Sequence, residues 1–253
     1  MEQFVYAAVI FIVALAGTIL QGATGFGMAI ICMALLPFML PLNLIQVTVM
    51  LLGGFSSFMI LWQLRRHLDW KLIQVPLFTM IAVRYIGVWL VSGALSLELI
   101  KGILGGIMIV LSIYLGFWKD KVHFNPTITT GLIAGTISGL MGGMFNIGGP
   151  PMVAYMIVAT NDKMKYSSCL QLTFCIGALS NTIFRGVQGT LIPESGIDTL
   201  VLCVAAGVLA SLIGTRIGVG FLKRLDLKRL TIGVCCVMAL SGIVSILQSL
   251  SLI

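Results

Sequence analysis

Charge disappears from long stretches of this chain. No Asp, Glu, Lys or Arg lies between Glu2 and Arg65, and one bilayer span takes about 20 apolar residues. Charged and turn residues cut the remainder into apolar blocks. Eight hydrophobic segments result, at roughly 4–36, 43–64, 72–93, 98–118, 128–159, 167–187, 197–222 and 230–252. Runs of this length predict an all-α, polytopic membrane protein. Segments one and five are too long for one simple span.

Both long segments contain a glycine-rich motif. The first reads Ala16-Gly17-Thr18-Ile19-Leu20-Gln21-Gly22-Ala23-Thr24-Gly25-Phe26-Gly27, and the second runs from Ala134-Gly135-Thr136-Ile137-Ser138-Gly139 to Asn146-Ile147-Gly148-Gly149-Pro150-Pro151. Gly and Pro at this density break helices, and a matched pair of interrupted apolar segments points to a transporter's binding site. The halves match further along. Gly53, Ser56 and Ser57 fall opposite Gly177, Ser180 and Asn181, and Ile86-Gly87-Val88 falls opposite Ile217-Gly218-Val219. Leu99 and Gly102 then meet Leu230 and Gly233. The chain therefore reads as two four-segment repeats, 1–122 and 123–253, forming one membrane domain.

Charge sets the orientation of the repeats. Eight full crossings would split the Lys/Arg clusters between the two sides, against the positive-inside rule. If segments one and five enter and return on the same side, each repeat crosses three times and the second repeat is inverted. Arg65, Arg66, Lys71, Lys119, Lys121, Lys163, Lys165, Lys223, Arg224, Lys228 and Arg229 then lie inside. Lys101 and Arg185 lie outside with Glu2, Glu98, Glu194 and Asp198. Trp62, Trp70 and Trp118 fall at the inner interface. The expected fold has broken or re-entrant Gly-rich helices, with both termini outside. Tight pairs of complete spans in segments one and five would sort the charges equally well.

Composition agrees with this class: 59% of residues are hydrophobic and 9% charged. The net charge of +7 would suggest nucleic acid in a soluble protein. Here it flanks apolar spans, so the partners expected are the lipid bilayer and a small solute, with no nucleic acid. A homo-oligomer is left open. The start Met1-Glu2-Gln3 lacks the basic region of a signal peptide. Cys32, Cys169, Cys175, Cys203, Cys235 and Cys236 sit in apolar segments without a C-x-x-C pair, and read as buried apolar residues. No metal ligand set and no cofactor are expected.

Candidate chemistry follows from what lies at depth. All eight acidic residues fall in connections or near segment ends, as do His67 and His123. Cation sites and proton relays usually need an intramembrane carboxylate. Arg84 and Arg216 lie within segments at near-equivalent places in the two halves. They either snorkel to the interface or offer a guanidinium fork to an anion. Helices broken near the midplane present free N–H groups and a positive dipole end. The candidate substrate site is therefore Thr24, Gly25, Phe26 and Gly27 with Asn146, Ile147, Gly148, Gly149 and Pro150. Ser56, Ser57, Ser180 and Asn181 form a shared lining, with Arg84 and Arg216 on either side. Ser138 is a neutral donor nearby, and Gln21, Gln46 and Gln171 are weaker candidates of the same kind. Gly17, Gly22, Gly135 and Gly139 have the spacing of close helix packing.

Gly22-Ala23-Thr24-Gly25-Phe26-Gly27, followed by Pro37, resembles the first-half signature of the sulfite exporter TauE/SafE family, also called the 4-toluene sulfonate uptake permease family. Ser138 to Pro151 resembles its second-half signature, although Gly148-Gly149 runs directly into Pro150-Pro151 rather than through a spacer to a single Pro. The resemblance covers essentially the whole chain. It implies a multi-pass inner-membrane carrier of small sulfur-containing anions such as sulfite or organosulfonates. Another small anion, such as a carboxylate, is the alternative substrate. A cation or soft-metal carrier would rest on scattered Met and Cys. An enzyme would need a nucleophile, acid/base or metal cluster in the interior, which no His or carboxylate reaches.

Overall fold

The computed structural model describes residues 2–90, 97–113, 116–117, 127–160 and 162–224, with individual positions between 232 and 250. All regular structure among these residues is helical. The long helices are α1 (Glu2–Thr24), α3 (Leu42–Leu64), α4 (Trp70–Trp89), α5 (Leu97–Ile113), α6 (Ile128–Phe145), α8 (Lys163–Val187) and α9 (Ile197–Arg224). Two short helices, α2 (Met28–Leu35) and α7 (Gly149–Ala159), follow α1 and α6. Five helical stretches among the described residues are long and apolar enough to cross a membrane. The chain is a multi-span membrane protein. Trp118, Lys119, Asp120, Lys121, His123, Asp226, Lys228, Arg229, Leu230 and Gly233 lie outside the described residues.

Polar residues start the helices at the charged end. Asp69 accepts from Lys71 N–H (3.2 Å) at the head of α4. Asp162 accepts from Met164 N–H (2.8 Å) and Lys165 N–H (3.3 Å) at the head of α8, and Thr127 and Thr130 form a capping box before α6. Within α4, Pro76 lacks the N–H that would bond Leu72 O. Tyr155 of α7 supplies the missing donor, its hydroxyl lying 3.3 Å from that carbonyl.

The end of α3, the start of α8 and the end of α9 meet where Ile60, Leu64, Val219 and Leu222 pack with Met164. Lys165 pairs with Asp69 across 3.5 Å at the same end. Exposed Arg65, Arg66, Lys71 and Lys163 complete a basic end of the bundle. Trp62 and Trp70 are exposed here, and the Arg65 guanidinium lies 4.4 Å from the Trp62 ring centre. Since α3 ends and α8 begins at this end, the two run antiparallel. So do α4, which begins here, and α9, which ends here.

Small residues bring two helix pairs close together. A Cβ on Gly22 of α1 would lie 2.9 Å from Gly218 Cα of α9. A Cβ on Gly87 of α4 would lie 3.1 Å from Gly143 Cα of α6. Gly17 crowds Met28 of α2 in the same way, while Gly135 and Gly139 crowd Pro76 and Met80 of α4. The four small-spaced glycines are thus packing positions. On the outer faces, Phe4, Ile12, Phe78, Ile183 and Leu209 are exposed, as lipid-facing side chains should be.

The long first and fifth segments are each divided in two. With 23 residues, α1 is about 34 Å long, enough to cross, while α2 with 8 residues reaches only about 12 Å. The fifth segment repeats this with α6 and α7, of 18 and 11 residues. Each is a long helix followed, after a break, by a short one.

Candidate functional site

The two breaks are built alike. α1 stops at Thr24, Gly25 turns left-handed at φ 88°, and α2 resumes at Met28. α6 stops at Phe145, Asn146 turns left-handed at φ 58°, and α7 resumes at Gly149. Each break spans three residues, 25–27 and 146–148. Glycine takes a positive φ freely and Asn tolerates it better than most residues. Side chains brace both: Thr24 Oγ1 donates to Phe26 O (2.6 Å) and Ser138 Oγ to Gly148 O (2.6 Å).

A cavity of ≈ 70 Å³ lies between the breaks. A water needs about 10–15 Å³ on this measure, so it has room for a small oxyanion. Phe26 and Gly27 line it from the first break, and Asn146, Ile147 and Gly148 from the second, with Gly149 at the head of α7. Met28, Ala29 and Ile30, the first turn of α2, also face it. Ile31 N–H is the first in α2 with an intrahelical acceptor, Gly27 O (3.0 Å), and no side chain caps this end. In α7 the first turn carries Pro150 and Pro151, which have no N–H to offer. The donor-rich helix end in the cavity is therefore that of α2.

Arg84 supplies the charge. It lines the cavity yet is only 6% exposed. Its Nε donates to Asn181 Oδ1 at 2.7 Å. Asn181 Nδ2 in turn donates to Gly142 O (2.8 Å) and Asn146 Oδ1 (2.7 Å), so α8 ties Arg84 to the second break. The guanidinium lies where Cβ atoms of Gly142 and Gly177 would stand. The one ion pair among the described residues is Lys165–Asp69, so no described carboxylate compensates Arg84. Snorkelling does not describe it: the side chain turns inward.

A neutral network faces it. Gln21 Nε2 donates to Ser57 Oγ (2.9 Å) and Gln171 Oε1 (3.0 Å), and Gln21 Oε1 accepts from Ser56 Oγ (3.0 Å). Gln171 Nε2 reaches Gly25 O (2.7 Å). These amides hold the first break as Asn181 holds the second.

Of the sequence-derived candidates, the cavity gathers Phe26, Gly27, Ser57, Arg84, Asn146, Ile147, Gly148 and Gly149. Thr24, Gly25, Ser56 and Asn181 stand behind that wall and brace it. Ser180 bonds its own helix at Gly177 O (2.9 Å) and is not among the cavity's lining, and Pro150 stands in the first turn of α7. Arg216 stands apart from the cavity: it is exposed on α9 beside exposed Ile213 and Ile217. Its place in the second half matches Arg84 only to within one residue, and on a helix one residue turns a side chain by about 100°. Arg185 differs in the opposite sense. Set among the outer charges by position, it is 7% exposed and donates from Nη2 to Gln46 Oε1 (3.1 Å). Met50, Met80 and Phe174 form apolar lining that sequence reasoning misses, because they look like any other core residue. Gln21 is more central than its weak signal suggests; a Gln within an uncharged helix was the available clue.

The broken helices, the cavity between them and the buried Arg84 that lines it fit a solute carrier, and relatives bear on this. No solved structure matches the chain. A Cupriavidus necator protein named "Probable sulfite/organosulfonate exporter TauE" is 23% identical over 205 residues, covering 79% of this chain and 80% of its own. The family model described as Sulfite exporter TauE/SafE matches residues 9–245, a range that holds both breaks and every cavity residue. On that match the chain belongs to the sulfite exporter TauE/SafE family, and it is a membrane transporter, not an enzyme.

Proposed function

We propose that this transporter carries small sulfur-containing anions, such as sulfite or organosulfonates, through a site between the two breaks. The observation that carries the reading is Arg84: a buried guanidinium with neutral partners, facing a cavity sized for a small oxyanion. A buried charge without a counter-ion is costly, and an anionic substrate relieves that cost during each transport cycle. The free N–H groups of the first turn of α2 add a positive dipole end. Asn146 and Ser57 supply neutral donors at the wall. Arg216 takes no part in this site. The sulfur chemistry rests on the family and on the Cupriavidus necator relative's name.

The architecture behind this reading is two inverted repeats, 1–122 and 123–253, in an inner membrane. It is supported by the antiparallel courses of α3 against α8 and α4 against α9. The swapped contacts support it too: α1 crosses α9 as α6 crosses α4, with Gly22–Gly218 answering Gly143–Gly87. The basic end is then cytoplasmic and the N-terminus outside. Flux into liposomes holding the purified protein tests the function. Sulfite and organosulfonates should be carried in preference to sulfate, carboxylates and cations. Preferential carriage of a carboxylate or a cation refutes the sulfur-anion reading.

A further inference from the structure

Arg185 is a second buried cation, and the central site does not use it. It lies in the last turn of α8, 7% exposed. A basic residue there complements the helix dipole, which explains its position but not its burial. Its Nη2 meets a neutral acceptor, Gln46 Oε1 at 3.1 Å. Its Nε is buried with no hydrogen-bond partner among the described residues, and no described carboxylate pairs with it. Buried donors are nearly always satisfied. Two independent features, an unused donor and an uncompensated charge, call for the same ligand: a small anion with oxygen acceptors.

Gln46 also connects Arg185 to the central cavity. Its backbone O accepts from Asn146 Nδ2 (2.9 Å), and Asn146 Oδ1 accepts from Asn181 Nδ2 (2.7 Å), which holds Arg84. Neutral amides thus run between the two guanidiniums with no carboxylate among them. Asn181 and Arg185 are four residues apart on α8, a rise of about 6 Å, so Arg185 lies one turn further from the basic end.

We infer that Arg185 forms a second anion-binding position, which holds a small oxyanion on its way between the Arg84 cavity and the end of the bundle opposite the basic one. The inference builds on the anion-carrier reading, but the two can fail separately. Sulfite is titrated calorimetrically, under anaerobic conditions, into the purified protein in lipid nanodiscs. The wild type should bind two anions per chain. Arg185→Gln should weaken one step about ten-fold or more and keep the other, and Arg84→Gln should show the converse. Arg185→Lys keeps the charge without the planar fork, and should weaken the second step about ten-fold. It also serves if the Gln variant does not fold. A single step per chain, unmoved by Arg185→Gln or Arg185→Lys and weakened in Arg84→Gln, overturns the second position and leaves the central site standing. No binding in the wild type, or binding unmoved by Arg84→Gln, overturns the central reading instead.

Discussion

Arg84 Nε lies 2.7 Å from Asn181 Oδ1, and this bond aims the one guanidinium that faces the cavity among the described residues. Asn181 bonds Asn146 at the second break with its other end. One amide therefore links the charge on α4 to the backbone turn that shapes the site. Loss of a charge-assisted hydrogen bond costs about 1.5–3 kcal/mol, or roughly ten- to a hundred-fold in affinity. Arg84→Gln should weaken sulfite binding by that factor and reduce flux, with the fold retained. Unchanged affinity in a folded Arg84→Gln protein would remove Arg84 from the site.

Gly142 and Gly177 make room for the same guanidinium. A Cβ on Gly142 would lie 2.7 Å from Arg84 Cζ, and one on Gly177 3.0 Å. Gly142→Ala or Gly177→Ala should displace the charge and weaken anion binding about as much as Arg84→Gln. Combined with Arg84→Gln, either should add little, since coupled residues are not additive. Full additivity in the double variants would show the glycines acting elsewhere.

Gln21 joins Ser56, Ser57 and Gln171 in one buried network. Gln21→Leu leaves these partners unsatisfied, at about 1–3 kcal/mol for each buried polar group. Thermal unfolding in detergent should fall clearly. Gln21→Glu should lower anion affinity as well, because it sets a carboxylate at the cavity wall.

The two glycine crossings should respond alike. Gly22→Val and Gly87→Val each push a side chain into a facing helix backbone, so both should sharply reduce folded protein in the membrane. Gly220→Ala is the control: a Cβ there meets nothing within 4 Å. A well-folded Gly22→Val protein would show that α1 and α9 do not cross as described.

Proton coupling through an acidic relay should be absent. Asp69 and Asp162 cap helices at the basic end, and Glu194 and Asp198 are exposed. Singly, Asp69→Asn, Asp162→Asn, Glu194→Gln and Asp198→Asn should keep flux near wild type, measured against protein amount. The Met164 and then the Lys165 N–H hold the Asp162 carboxyl below the usual carboxylate range. Its cap is therefore intact above that range and is lost only as pH falls through the lowered value. Any change in flux between pH 5 and 8 has to come from another group, the weakly acidic substrate among them.

Much of this protein could be read from the chain. Uncharged runs dictate helices across a bilayer, because a backbone in lipid must satisfy itself. Gly25 to Gly27 and Asn146 to Pro151 marked both breaks, since glycine weakens a helix and Gly148-Gly149-Pro150-Pro151 cannot continue a regular one. The spacing of Gly17, Gly22, Gly135 and Gly139 announced close crossings, and the scarcity of acid pointed to an anion. The facing of individual side chains was hidden. Arg84 and Arg216 look equivalent along the chain, yet one turns into the cavity and the other out of the bundle. Arg185 reads along the chain only as a charge toward the outer side, and it is buried against Gln46. Periodicity places a residue along a helix, but in a bundle apolar on its outside as well as its inside it gives little sign of which face turns inward. That choice is made by packing: by the glycines that admit a guanidinium, and by Asn181 and Gln46, which reach it from other helices.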